Sequence, residues 1–287
     1  MPPHVDVCVV GSANLDLVAT APRLPSAGET VLGTAYAEHA GGKGLNQAVA
    51  AARSGARTAF VGALGRDAAG AELRSVLDDA GIDLDAVADV DAPTGRALIT
   101  VNEQGENSIV VVPGANAHVS ADAALPPSAV VLVQLEVPVH TVRAALGEAR
   151  RRGATTVLNP APAAPLDREL LSFVDVLVPN EHEVGLVGGT SALLDVCPVV
   201  VVTRGSEGVD VVTTSGTRHV DAFDVSVVDT TGAGDAFCGS LAARLAAGDE
   251  LLDAVRWGAA AGALATTVRG AVPAQPSEAT IRQLLGS

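Results

Sequence analysis

The chain is poor in aromatic residues. Its 287 residues include four Phe, one Tyr and one Trp. Few rings are therefore on hand to stack on a nucleobase, which weighs mildly against a nucleoside ligand. Basic residues are scarce too: 18 Lys and Arg face 33 Asp and Glu, for a formal net charge of −15. A chain of that sign has no general attraction for a nucleic-acid backbone, although a local field can still hold an anionic substrate. The cysteines, Cys8, Cys197 and Cys238, are odd in number and widely spaced. They fit no zinc pattern and read as small buried hydrophobes in a reducing compartment, so a cytoplasmic location is expected. The N-terminus carries Asp6 and no basic cluster, which argues against a signal peptide. No apolar run reaches the ~20 residues of a membrane helix, so no membrane partner is expected.

What is present is apolar and small. Hydrophobic residues make up 48% and charged residues 18%, ample for one large α/β domain spanning 1–287. Val5 to Val10 reads as a buried parallel strand, followed by a turn, Gly11-Ser-Ala-Asn-Leu-Asp16. If that turn is extended, Asn14 and Asp16 point the same way, beyond the strand's carboxyl end, where α/β folds bind ligands. Gly41-Gly-Lys-Gly-Leu-Asn-Gln47 precedes an Ala-rich helix from Ala48 to Ser54. It is not a Walker A motif, but its backbone can approach a polyol closely, with Lys43 and Asn46 as polar partners. Strands 95–102 and 107–112 flank Glu103-Gln-Gly-Glu106 as a hairpin. Together with an extended stretch near 29–39, this excursion predicts a small β-sheet lid over 29–39 and 94–112.

From Ser128 onward strands and helices alternate regularly. Strand after strand ends in a polar or glycine-bearing turn: Glu136, Asn159, Asn180 with Glu183, Gly205. Such groups converge on one edge of a parallel sheet. The chain is organised around Val228-Asp-Thr-Thr-Gly-Ala-Gly-Asp-Ala-Phe237, with a helix expected from Ala236 to Ala247. A Gly232-Ala233-Gly234 turn at a helix N-terminus offers backbone N–H groups and a partial positive charge, which suits a phosphate. Asp235 beside it can orient and deprotonate an attacking hydroxyl, and the turn by itself equally allows a helix cap.

In these motifs, with Gln134-Leu-Glu136, Asn159-Pro-Ala-Pro162, Pro179-Asn-Glu-His-Glu183 and Thr203-Arg-Gly-Ser206, the chain resembles the ribokinase family of carbohydrate kinases over nearly its whole length. The resemblance implies a Rossmann-like α/β fold with a β-sheet lid that often forms a homodimer contact. It implies ATP-dependent phosphorylation of the 5-hydroxyl of D-ribose, with Asp235 as general base and Gly232, Ala233 and Gly234 as the anion hole. Asn14, Asp16, Gly42, Lys43, Asn46 and Glu136 match sugar-binding positions, and Ala97 and Ile109 an apolar wall of the lid. Asn180 and Glu183 match the element near Mg²⁺ and the phosphates; Thr203 and Gly205 match nucleotide contacts. Asp229, Thr231, Ala265, Val268, Gly270 and Ala274 line up with a K⁺ site. The chain departs from the family pattern twice: the segment 184–195 is short, and Ala274 stands where a serine is usual.

Overall fold

A computed structural model describes residues 5–286. Thirteen strands form two sheets among the described residues. In chain order the strands are β1 (Val5–Val10), β2 (Asn14–Thr20), β3 (Ala35–Gly41), β4 (Thr58–Gly65), β5 (Val87–Val90), β6 (Gly95–Val101), β7 (Asn107–Val112), β8 (Ser128–Val133), β9 (Thr155–Leu158), β10 (Val176–Leu177), β11 (Val199–Thr203), β12 (Val209–Thr213) and β13 (Gly216–Val220). The large sheet runs β13-β12-β11-β10-β9-β8-β1-β4-β5. Its strands are parallel except at one edge, where β12 pairs antiparallel with both β11 and β13. The helices are α1 (Lys43–Arg53), α2 (Ala68–Asp79), α3 (Val139–Arg151), α4 (Arg168–Leu171), α5 (Glu181–Leu186), α6 (Thr190–Leu194), α7 (Ala233–Ala246), α8 (Leu251–Ala265), α9 (Ala271–Ala274) and α10 (Glu278–Leu285).

The two-residue period of a strand divides the core. Val7 and Val9 of β1 join Leu45, Val49, Phe60, Leu73, Leu241 and Val255 on one face of the large sheet, under α1, α2, α7 and α8. Cys8 and Val10 join Val61, Val131, Val142, Leu146 and Leu170 on the other, under α3 and α4. Burial on both faces explains the Val-rich runs of β1, β8 and β11, which do not alternate with polar residues. No described helix is long and apolar enough to cross a membrane.

The smaller sheet runs β3-β2-β6-β7. Here the structure corrects the sequence reading. The stretch from Asn14, taken as a turn, is strand β2, and it lies between β3 and β6. The length of β2 was hidden because Asn14-Leu-Asp-Leu-Val mixes polar and apolar residues in a strand that is buried only at its start. Residues 29–34 form no strand; pairing begins at Ala35. Strand β5 had no expectation attached to it.

Two helices begin earlier than expected. Helix α1 starts at Lys43, within the glycine motif, and α7 starts at Ala233. Glycine propensity argued against helix there, but tertiary contacts hold both first turns. Gly42 has φ +89, and a Cβ on it would stand 2.8 Å from Asn14 N, so the chain can turn into α1 against β2 only with glycine. A Cβ at Gly239 would stand 2.3 Å from Gln47 O. Glycine there lets α1 and α7 pack backbone to backbone, which brings their N-terminal turns together.

Candidate active site

The carboxylate of Asp235 sits in the first turn of α7 and is buried. The N-cap of that helix is Gly232, and the Asp235 side chain points across to α1 instead of capping. Asn46 Nδ2 donates to Asp235 Oδ2 at 2.9 Å, and Gln47 Nε2 donates to Oδ1 at 2.9 Å. This removes the helix-cap reading of Asp235. Burial pushes its pKa up, with a smaller push from Glu136, while Lys43, Gln47 and Asn46 oppose the rise. Burial also works against the charge on Lys43, but Asp235, Glu136 and Glu183 outweigh it and hold the ammonium above its ordinary pKa.

The polar groups of the small sheet lie next to this pair. Burial, reinforced by the Glu136 and Asp235 carboxylates, pushes the Asp16 carboxyl up to about 7. Asn14 Oδ1 accepts from Asn116 Nδ2 at 2.7 Å, which leaves the Asn14 amide nitrogen with a fixed direction. Glu136 follows β8 and accepts from Ser12 Oγ and, at 3.0 Å, from the backbone N–H of Lys43. It thus serves the N-terminus of α1, where Gly42 has no side chain to cap with. Register places Ala97 opposite Asp16 and Ile109 opposite Ile99, so Ala97 and Ile109 share the face of Asp16. Ala97 is buried and Ile109 exposed.

Asp235 also lines a cavity of about 140 Å³, together with Lys43, Asn159, Asn180, Glu183, Thr203, Gly232, Gly234 and Cys238. It adjoins a cleft of about 610 Å³ that shares Thr203 and Gly234 and is walled by Gly205, Phe223, Val225, Val227, Phe237 and Ala263. Gly232 has φ +76, and the Ala233 N–H turns back to Thr230 O at 3.3 Å. Gly234 lies in the first turn, where amides lack an intrahelical acceptor. A Cβ at Gly234 would meet no protein atom within 4 Å. The fold therefore does not require glycine there. Asn180 and Glu183 form a capping box on α5, with Asn180 accepting from Glu183 N at 2.8 Å and Glu183 Oε2 from Asn180 N at 2.9 Å.

The six residues aligned with a cation site come from the loop before α7 and from the stretch between the end of α8 and the end of α9, which the structure brings together. Asp229 Oδ1 accepts from Thr231 N and Oγ1, and its Oδ2 accepts from Gly270 N at 2.9 Å. Burial raises the Asp229 pKa, but the hydrogen bonds from Gly270 and Thr231 outweigh it, so the carboxyl lies below its ordinary value. Ala265 and Ala274 are buried together with Ala236. Val268 is exposed, and its N–H reaches Ala265 O at 3.4 Å. Beside Ala274, Gln275 Nε2 donates to Ala271 O at 3.0 Å and lies 3.5 Å from Gly232 O.

This arrangement, a carboxylate between the polar groups of the small sheet and a glycine-lined cavity, has relatives. The profile described as pfkB family carbohydrate kinase matches residues 5–278. The chain belongs to the pfkB family of carbohydrate kinases. The ribokinase of Haemophilus influenzae is 37% identical over 289 residues, covering 94% of each chain. A ribokinase structure from Thermotoga maritima superposes with a TM-score of 0.91 at 32% identity, covering 99% of this chain and 100% of that one. The Arabidopsis thaliana ribokinase complexed with ribose and ATP superposes with a TM-score of 0.89 at 31% identity, covering 99% and 100%. As a pfkB-family member the protein is a phosphotransferase acting on an alcohol group, on the expected α/β fold.

Within this pfkB chain, sequence reasoning missed several groups that touch the site. Ser12 and Asn116 hold Glu136 and Asn14. Gln47, Gln134 and Asn159 stood in quoted motifs without a role, although a run such as Gly-Leu-Asn-Gln at a helix start is a signal for side chains aimed at the strand ends. Asn116 carried no such signal.

Proposed function

We propose that the enzyme transfers the γ-phosphoryl group of ATP to the 5-hydroxyl of D-ribose. The observation that carries this reading is the Asp235 carboxylate, held by two amides where the Asp16 patch meets the Lys43 cavity. Asn14, Asp16, Gly42, Lys43, Asn46 and Glu136 would receive the sugar, with Ala97 and Ile109 as an apolar wall; paired acceptors suit a polyol. The glycine-lined cavity and the 610 Å³ cleft would take the phosphates and the nucleoside of ATP, the latter past Thr203 and Gly205. Asp235 accepts the 5-hydroxyl proton as the new O–P bond forms and the bond to ADP breaks. The Gly234 N–H and the Lys43 ammonium would face the charge on the transferred group, with Gly232 and Ala233 shaping the turn. Alignment matters more than basicity in so loose a transition state.

Mg²⁺ would neutralise the ATP phosphates, with Asn180 and Glu183 nearest to it. At the loop of Asp229, K⁺ would take that carboxylate and, as neutral oxygen donors, backbone carbonyls of Thr231, Ala265, Val268, Gly270 and Ala274. No group of three or more His, Cys, Asp or Glu able to hold a metal occurs among the described residues. Mg²⁺ with its retained waters suits the nucleotide better than this loop. Leu98, Val110, Val112 and Tyr36 are exposed on the small-sheet face opposite Asp16, which favours a homodimer through that sheet. Free, buried Cys8, Cys197 and Cys238 fit a reducing, cytoplasmic setting. The test is ATP consumption against a panel of sugars and nucleosides. D-ribose is expected to give the highest kcat/KM; a nucleoside or another sugar exceeding it overturns the assignment.

A further inference from the structure

We propose that Gln47 and Asn159 are positioning residues for Asp235, parts of a buried amide chain whose polarity is fixed by the backbone carbonyl of Val178. The inference rests on Asp235 being the base.

The chain starts where no choice exists. Asn159 follows β9, and its Nδ2 donates to Val178 O at 2.9 Å. A carbonyl only accepts, so the Asn159 amide has one orientation and turns its Oδ1 to Gln47. Gln47 Nε2 donates to that oxygen at 3.1 Å and to Asp235 Oδ1 at 2.9 Å. The remaining Gln47 Oε1 accepts from Gln134 Nε2 at 2.6 Å. The order Val178, Asn159, Gln47, Asp235 therefore guarantees Asp235 a donor. With the Gln47 amide turned over, its oxygen would face the carboxylate.

These groups come from five places in the chain: the residues just after β8, β9 and β10, and helices α1 and α7. Gln47 and Gln134 are fully buried in a core made mostly of Val, Leu and Ala. Buried amides cost free energy unless satisfied, and Gln134 Oε1 has no partner among the described residues. Apolar residues would fill that volume at lower cost, so retention of the chain points to Asp235. With Asn46 on Oδ2, Gln47 fixes the carboxylate plane and favours its ionised form. The other ionisable groups facing Asp235 are Lys43 on α1, Glu136 after β8, Asp16 on β2, Glu183 on α5 and Cys238 on α7. None of them changes in the variants below.

The experiment measures ribose- and ATP-dependent turnover against pH for Gln47→Met, Asn159→Leu and the double variant. Loss of a donor raises the Asp235 pKa, so the acidic limb of kcat at saturating ribose, where the Asp16 effect on KM drops out, is expected to move up by about half a pH unit or more. For Gln47→Met kcat is expected to fall about tenfold, near the low end of a hydrogen bond to a charged group, with KM for ATP within about twofold. Asn159→Leu acts through Gln47, so the double variant is expected to be no worse than Gln47→Met. An unmoved limb, or losses that add in the double variant, overturns the inference. If Gln47→Met does not fold by circular dichroism, the limb of Asn159→Leu decides. An Asp235→Asn variant run in parallel separates the two failures. Near-parental turnover of Asp235→Asn overturns the base itself; inactive Asp235→Asn with unmoved limbs overturns only the amide chain.

Discussion

Asp235 is buried and Asp16 half-buried, and the proposed reaction puts the two carboxylates to different uses. Asp235 is ringed by donors and by Lys43, and Asn is close to it in shape. Asp235→Asn should leave the thermal midpoint near that of the parent and lower kcat by at least about 100-fold, the low end for a positioned base. Turnover within a few-fold of the parent would remove the assignment. Asp16 is pushed to about 7 by burial and by the Glu136 and Asp235 carboxylates. Ionised Asp16 is the better acceptor for sugar hydroxyls. KM for ribose should therefore rise as pH falls below about 7, by up to about tenfold per unit, while KM for ATP stays flat. Equal pH dependence of both constants contradicts this. The linkage sign is also fixed. Folding raises this pKa, so the Asp16 contribution to stability is fully present below the ordinary value of 3.8 and is lost as pH rises through about 7.

At the scale of elements, the first turns of α1 and α7 make the site. The α7 turn carries Gly234, whose absent Cβ faces no protein atom. Gly234→Ala should keep or raise the thermal midpoint, since Ala in a helix is favoured over Gly by roughly 0.5–1 kcal/mol. It should nevertheless raise KM for ATP or cut kcat by tenfold or more, because the methyl group stands where the phosphoryl group must approach, at about the cost of one displaced hydrogen bond to a charge. A variant with parental kinetics would place the phosphates elsewhere. The short α5 and α6 occupy the stretch between β10 and β11. The α5 capping box keeps Asn180 and Glu183 at the cavity rim.

For the whole molecule, two assemblies of distant parts are testable. The outer face of the small sheet exposes Leu98, Val110 and Val112. The parent should sediment as a dimer at micromolar concentration, and Leu98→Lys should shift it toward monomer; a monomeric parent contradicts the dimer. Asp229 ties the loop before α7 to the loop after α8 through Gly270. With a cation bound there, K⁺ in place of Na⁺ at matched ionic strength should raise ribose-dependent turnover. Asp229→Ala should abolish the difference, and identical rates in both salts remove the cation from the mechanism.

The sequence by itself determined most strands and helices of the large sheet, its parallel character and the polar turns at its strand ends. These follow from local rules: Val-rich runs buried on both faces, helix caps such as Asp67 and Ser277, and polar residues placed just after strands. It also placed Asp235 beside a phosphate-ready turn. What it left undecided was whether the Asp235 side chain caps α7 or turns away from it, because a carboxylate in a first turn has the same local spacing either way. Only the tertiary structure decided this, by packing α1 on α7 through Gly239 so that Asn46 and Gln47 reach the carboxylate across 189 and 188 residues of sequence. Strand β2 and the role of Asn116 were likewise set by partners far along the chain, and no local pattern encodes a partner.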